Sequence, residues 1–536
     1  MGSKTIGRND SRAGTRMMWL FFACSSPQEE IPIEYMDSVR LLRRISLDVR
    51  GELPSMQDIE TVRNNPETVY DFMNQYMEEP QFERQVMHWL NEVWHTRVDT
   101  FTVVADDFYM DDVGDWYLFT RSVGEEPLRL LAYIATHDKP WTDIVTVDYT
   151  ITNELLASIY PVDYPQGASG WQISTYTDGR PAVGVLSTNG LWWRYSTDSL
   201  NMNRSRAAAI TRLLLCDDIL ARPVSFEASA HALEDTYIAV RTDPACLTCH
   251  SSLDPLASSM FGFYWVEEGN PLEAVSYHPE REQAGYELIG AAPSWYGIPV
   301  TSFADIGIHI ANDSRFRKCG VQTFSQVLLR RSLGLDDFHT INEFQSAFEA
   351  ADLKIKPLVL SIMSSDEYRI ETASEQYPNA RTPKMLAPYQ IESALYAVSQ
   401  YVWQDQDGPL LDNKYRIMAG GVDGAMVSSP QLYSNLTSTL VLRRLAQNSA
   451  THIAKNYLDV DTELLHHVNS ESKPSDPEFV AQLDELRWRL HGREPTVEWR
   501  SEIIALWEDA YQIEGSEIAW IAVLSAMFQD FDFVSY

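Results

Sequence analysis

Residues 246–256 read Cys246-Leu247-Thr248-Cys249-His250-Ser251-Ser252-Leu253-Asp254-Pro255-Leu256, and the first five decide what kind of module sits at the centre of the chain. C-x-x-C-H is the attachment sequence of a c-type haem. Two thiols at that spacing can add to the two vinyl groups of the macrocycle, and the next residue offers an imidazole to the iron. With 5 Cys and 12 His among 536 residues, composition alone produces such a match only about 0.001 times per chain. The competing readings are a thioredoxin-type dithiol, half of a zinc site and a small disulfide loop. A zinc site needs about four ligands, usually from a second knuckle, and no other C-x-x-C occurs. A redox dithiol follows a strand within a βαβ pattern, whereas Arg241-Thr242-Asp243-Pro244-Ala245 reads as a turn. The motif therefore predicts one covalently bound haem c on Cys246, Cys249 and His250, with His250 as the proximal iron ligand.

Covalent haem attachment takes place outside the bacterial cytoplasm, so an export signal is expected. Arg8, Arg12 and Arg16 form a positive n-region, residues 17–23 are apolar, and Cys24 follows a small residue. Residues 1–24 thus read as a lipoprotein-type signal ending at a lipidated Cys24, with Phe21 where leucine is usual and an ordinary secretory signal as the alternative. The expected location is the periplasm or outer membrane, with membrane contact only through the lipid. No later stretch approaches the ~20 apolar residues of a membrane-spanning helix. With Cys24 given to lipid and Cys246 and Cys249 to haem, Cys216 and Cys319 remain. In an oxidising compartment they are expected to form a disulfide around the haem segment, worth about 4 kcal/mol by loop entropy. Two buried free thiols are the alternative.

The length allows two to four domains, and 45% hydrophobic with 22% charged residues marks a globular chain. A formal charge of −34 repels nucleic acid and anionic lipid and favours a basic redox partner or a cationic ligand, acidity being also an ordinary route to solubility.

Helical periodicity dominates. In residues 37–49, Val39, Leu42, Ile45 and Val49 share one face until Gly51 and Pro54 stop the helix. Further helices are expected from about Ser55, over 81–97, 204–220, 304–311, 320–333, 340–350, 355–363, 387–402, 432–446, 476–490, 496–511 and 515–528. His88 and His95 lie near one face of the 81–97 helix with Glu92 between them, and solvated or hydrogen-bonded histidines are expected there rather than a metal or second haem set. Residues 151–203 are rich in glycine, proline and aromatics, including Trp171, Tyr176, Trp192, Trp193 and Tyr195. They read as loops with a short hairpin whose rings pack rather than bind ligand. Another irregular stretch is expected from the motif to about Pro299, and a linker over 374–383. The acidic groups at 106–115 and at Asp459 and Asp461 do not fit an EF-hand spacing and read as solvated loops. The fold class expected is mainly α and multi-domain, with a single haem module and loop-rich aromatic insertions. The domains are an N-terminal helical domain (30–140), a haem module with its lead-in (141–375) and a C-terminal helical domain (384–536).

Leu214-Leu215-Cys216, the motif with Asp254-Pro255-Leu256, and Phe316-Arg317-Lys318-Cys319 resemble the planctomycete-type cytochrome c domain proteins. Ala257 stands where that family usually has glycine, and residues 329–335 match its next signature only loosely. Residues 358–368 resemble the closing helix of its haem module. Residues 41–48, with Gly51, Leu53 and Pro54, resemble the opening of an associated domain, and residues 520–533 the closing helix of another. The resemblance implies a mostly helical, exported c-type cytochrome.

The sixth iron ligand would decide the activity: a strong ligand closes the iron for electron transfer, and an open face admits small-molecule chemistry. Met260 is the nearest candidate, with His278, His309 and Met363 further along. The expected function is electron transfer. A haem enzyme (a peroxidase or an electron-acceptor subunit of a dehydrogenase) and an anchored binding or assembly protein with structural haem are the alternatives.

Overall fold

The computed structural model describes residues 34–110, 113–223, 236–265, 271–371, 384–406, 408–460, 462 and 464–536. The expected signal segment with Cys24, and the linker at 374–383, lie outside the described residues. Within them the protein is mainly α, with 22 α-helices against one three-stranded and two two-stranded antiparallel sheets.

The first helix, Ser38–Val49, starts where the Asp37 carboxylate accepts the backbone N–H groups of Val39 and Arg40, and Gly51 turns the chain away at φ +72°. A capping box between Ser55 and Asp58 opens Met56–Asn64, and Val69–Met77 and Gln81–Trp94 complete the N-terminal group. Against Gln81–Trp94 lies the longest helix, Val113–Thr136, which no apolar stripe announces. Its centre carries two buried carboxylates. Glu125 is held by Arg97, Arg121 and Arg129 at 2.9, 3.0 and 2.9 Å. Burial pushes its carboxyl up, but those three guanidinium charges outweigh it and bring it to about 2. Glu126 accepts hydrogen bonds from Thr150 Oγ1, Tyr176 Oη and the Gly190 N–H at 3.0, 2.6 and 3.0 Å.

Glu126 thereby fixes the aromatic segment. Strand Gln172–Tyr176 runs between Thr150–Thr152 and Val162–Asp163, so the spatial order departs from the chain order. The Asn189–Arg194 helix crosses the long helix so closely that a Cβ on Gly190 would stand 2.1 Å from the Val123 carbonyl oxygen. Trp192 and Trp193 are buried there, and their indole N–H groups reach the carbonyls of Leu186 and Ala274. These rings pack, as expected for the segment.

One apolar core joins residues from Met36 to Tyr368, and a second joins Met385 to Tyr536 with Leu47 and Leu53 of the N-terminal segment. The first core therefore runs through the division expected at 140/141. In the second, Leu436–Tyr457, Ser516–Gln529 and Val497–Glu514 pack in succession.

A third, smaller core packs Phe119, Val123 and Trp193 together, and the first helix joins the first two cores. It is buried on every side, and its polar residues are paired across the chain. Arg43 donates to the carbonyls of Leu490, Ser535 and Phe533 at 3.2, 3.0 and 2.9 Å. Burial lowers this guanidinium to about 10, far enough above neutrality to keep its charge. Arg44 donates to the carbonyls of Tyr368 and Leu328. Asp48 accepts from Tyr368 Oη at 2.7 Å, Tyr536 Oη at 2.6 Å and Gln390 Nε2 at 3.2 Å. An Asp48→Ala variant is expected to lose about 3–5 kcal/mol, because it leaves the buried Arg44 cation, 3.7 Å away, without its counter-charge and two phenols without their acceptor. Denaturant unfolding checks this through the displaced midpoint.

Candidate functional site

The C-x-x-C-H motif lies inside a helix, Pro244–Ser258, and not after a turn. Arg241 and Thr242 end a preceding helix, Thr236–Thr242, and the Asp243 carboxylate caps the motif helix by accepting the Ala245 N–H at 2.8 Å. Pro244 occupies a first-turn position where its missing N–H costs nothing. The stretch after the motif is helical to Ser258, contrary to the irregular structure expected. Pro255 removes one backbone donor without breaking the helix. No strand precedes the motif among the described residues of this lead-in, as a thioredoxin-type pair would require.

Three residues apart on a helix, Cys246 and Cys249 are neighbours on one face. Both thiols are unbonded and half-buried. Cys249 packs on the first core, with Sγ 3.6 Å from the Ile219 carbonyl oxygen. Burial, then the Asp243 carboxylate and the Cys249 thiol, push the Cys246 thiol up. A nucleophilic dithiol needs the opposite shift.

His250 Nδ1 lies 2.8 Å from Asp254 Oδ1, one helical turn on. Asp254 is buried, and Arg204, the first residue of the Arg204–Leu215 helix, grips both its oxygens at 2.7 and 3.2 Å. Burial pushes the Asp254 carboxyl up, but hydrogen bonds from His250 and Arg204 and their charges outweigh it and hold it below the usual carboxylate range. An ionised carboxylate has no hydrogen to give, so Nδ1 carries the proton. In the neutral ring Nε2 keeps its lone pair, and it has no hydrogen-bond partner among the described residues. Free thiols one turn apart, followed by an imidazole anchored through Nδ1 whose neutral form offers Nε2, fit covalent haem with His250 as proximal ligand. The His250–Asp254 pair was available from its i, i+4 spacing. Arg204, fifty residues upstream, carried no sequence signal.

Cys216 and Cys319 are joined in a disulfide with Cα atoms 5.2 Å apart. Cys216 ends the Arg204–Leu215 helix in a left-handed conformation, four residues short of the expected end, and Cys319 sits within Ser314–Leu329. The bond closes a span of 103 residues that contains the motif. Beside it opens a cleft of about 520 Å³ whose walls include Glu92, His95, Arg212, Cys216, Arg330 and Pro430.

The other candidates fall elsewhere. Met260 is wholly buried in the first core, just past the end of the motif helix. Both ring nitrogens of His278 are engaged, by Glu280 Oε1 and the Glu273 carbonyl. His309 is half-buried on Phe303–Asn312. Met363 is buried in a helix packed against Val69–Met77 and Val113–Thr136. His88 meets Arg97 and stacks on Tyr389, and His95 Nε2 meets the Ser428 carbonyl, so both are hydrogen-bonded as expected. Asp107 caps Val104 and Asp459 accepts the Ser470 N–H, while Asp111, Asp112 and Asp461 lie outside the described residues.

Comparison with family models, curated proteins and solved structures gives no match to this chain.

Replacing both Cys216 and Cys319 by serine is expected to cost about 4 kcal/mol, from the entropy the bond removes from the unfolded chain. Denaturant titration reads this loss. Mass spectrometry of the unreduced protein should find the peptides of Cys216 and Cys319 linked.

Proposed function

We propose that this chain is an exported, lipid-anchored c-type cytochrome of the periplasm or outer membrane that carries one covalent haem c and transfers electrons. The observation that carries the reading is the pair of thiols of Cys246 and Cys249, not joined in a disulfide, set one turn apart and followed by His250 with Nδ1 tied to Asp254 and Nε2 without a partner among the described residues. Cys246 and Cys249 would hold the macrocycle as thioethers, and His250 would give Nε2 to the iron. The bound group supplies one-electron redox chemistry.

The rest falls to the protein. Arg204 holds Asp254, Asp254 orients the imidazole and keeps its proton on Nδ1, and that hydrogen bond raises the basicity of Nε2. A more basic ligand favours the oxidised iron and lowers the potential. The net charge of −34 would attract a basic redox partner and steer its approach. A haem enzyme of peroxidase type is the second reading. It is favoured by the carboxylate at Nδ1, since an electron-rich proximal histidine also serves an open iron face.

Expression of the full chain in a host with a haem-maturation system should add about 616 Da to the intact mass. The increment should vanish in a Cys246→Ser, Cys249→Ser variant, and its absence from the unmutated chain would overturn the proposal. A low-spin spectrum unchanged by cyanide would support electron transfer; rapid cyanide binding with peroxide turnover would support the enzyme. Asp254→Asn should keep the covalent haem and raise its potential by roughly 60 mV, tenfold in a one-electron equilibrium, as redox titration would measure.

A further inference from the structure

On the C-terminal domain, two adjacent histidines converge on one carboxylate oxygen. His466 Nε2 stands 3.3 Å and His467 Nε2 3.2 Å from the same Oε2 of Glu485, and the three ligand atoms all lie within 4.8 Å of one another. We propose that His466, His467 and Glu485 bind a divalent first-row transition metal ion of the zinc or copper kind. In a tetrahedral site with metal–nitrogen and metal–oxygen bonds of about 2.0–2.1 Å, neighbouring ligand atoms are about 3.3 Å apart. The two nitrogen–oxygen separations already match that edge. Two imidazoles with one carboxylate suit such borderline ions, whereas calcium and magnesium require oxygen donors throughout.

The arrangement is held from beneath by a buried clamp. Gln482 is fully buried in the Pro477–Leu486 helix, donates from Nε2 to the Leu464 carbonyl at 2.8 Å and accepts the His467 N–H at 3.0 Å. The segment bearing the histidines is thus pinned to that helix. Glu485 lies three residues beyond Gln482, on nearly the same face. The ring centroids of His466 and His467 are 4.0 Å apart, and each side chain keeps about a third of its surface in solvent. An ion held there would have three protein ligands and a position left for water, the open form of a zinc site. Each imidazole would give the Nε2 lone pair, and its Nε2 proton would pass to solvent or move to Nδ1. This inference stands on the C-terminal domain alone and does not depend on haem attachment.

The test is calorimetric titration of the full-length chain, haem-loaded or with Cys246 and Cys249 alkylated, using zinc and then copper(II) chloride. One equivalent should bind, and His467→Ala and Glu485→Gln should each weaken binding by about 10- to 100-fold or more, since even the partners of metal ligands are worth that much. In the unmutated chain, zinc should protect the peptide containing His466 and His467 from diethylpyrocarbonate. No stoichiometric binding, unchanged affinity in both variants, or unprotected histidines at saturating zinc would overturn the proposal.

Discussion

Asp48 and the two arginines before it set the constraint on which the arrangement of the chain depends. A carboxylate in an apolar interior is costly unless its lone pairs are filled, and Asp48 fills them with groups from distant segments: Tyr368 at the end of the central region, and Gln390 and Tyr536 from the C-terminal region. Arg43 meets the mirror requirement. Its five donors need oxygen acceptors, and three come from carbonyls of the C-terminal region, those of Leu490, Phe533 and Ser535. The first helix can therefore be buried only when the central and C-terminal regions are both in place. Leu47 and Leu53 add apolar contact with the second core, while Leu41, Leu42 and Ile45 belong to the first.

The same logic positions the motif helix. Asp254 and Arg204 form an ion pair that locks the Arg204–Leu215 helix to Pro244–Ser258, and the disulfide ties the far end of Arg204–Leu215 to Ser314–Leu329. Arg204–Leu215 is thus held at both ends, by an ion pair at its start and a covalent bond at its close. His250 inherits its orientation from this frame through Asp254, so the direction of Nε2 is set by the packing of helices and not by the motif itself. Arg206 reinforces the frame. Fully buried, it donates to the carbonyls of Tyr195, Phe263 and Trp192, bringing the aromatic segment against the chain that follows the motif helix.

What could be read in the sequence follows from how local each feature is. Ser38–Val49, with its Asp37 cap and apolar face, and Ile355–Met363, with an apolar face alone, agree with their expected bounds because these signals act within a few turns. Val113–Thr136 escaped because Gly124, Glu125, Glu126 and Pro127 interrupt the apolar pattern, and the partners that make this centre stable come from remote segments. Gly124 itself is required by the close approach of the Thr96 carbonyl oxygen, 2.5 Å from where a Cβ would stand. The helix continues past the motif because the bond that Pro255 forgoes is one among many in a helix anchored by Asp254. At the candidate sites, residues adjacent in sequence were legible and their partners were not. Cys246, Cys249 and His250 declare themselves, whereas Arg204 is fifty residues away, and the pair His466-His467 gains meaning only when the fold brings Glu485 to it.

The interior use of arginine also bears on the surface. The chain has 42 lysines and arginines against 76 aspartates and glutamates, and Arg43, Arg44, Arg206 and Arg330 are buried. Arg43 and Arg206 spend their donors on backbone carbonyls without a carboxylate partner in bonding distance among the described residues. Buried carboxylates such as Asp48, Glu125, Glu126 and Asp254 offset these cations, so the solvent-facing shell keeps the acidic excess of the composition. Such a field favours cationic partners at long range and is screened within a Debye length of about 8 Å at physiological ionic strength. Salt can therefore weaken the acidic surface field while it leaves the buried arginine framework intact, because guanidinium groups bonded to carbonyls inside the protein are sheltered from mobile ions.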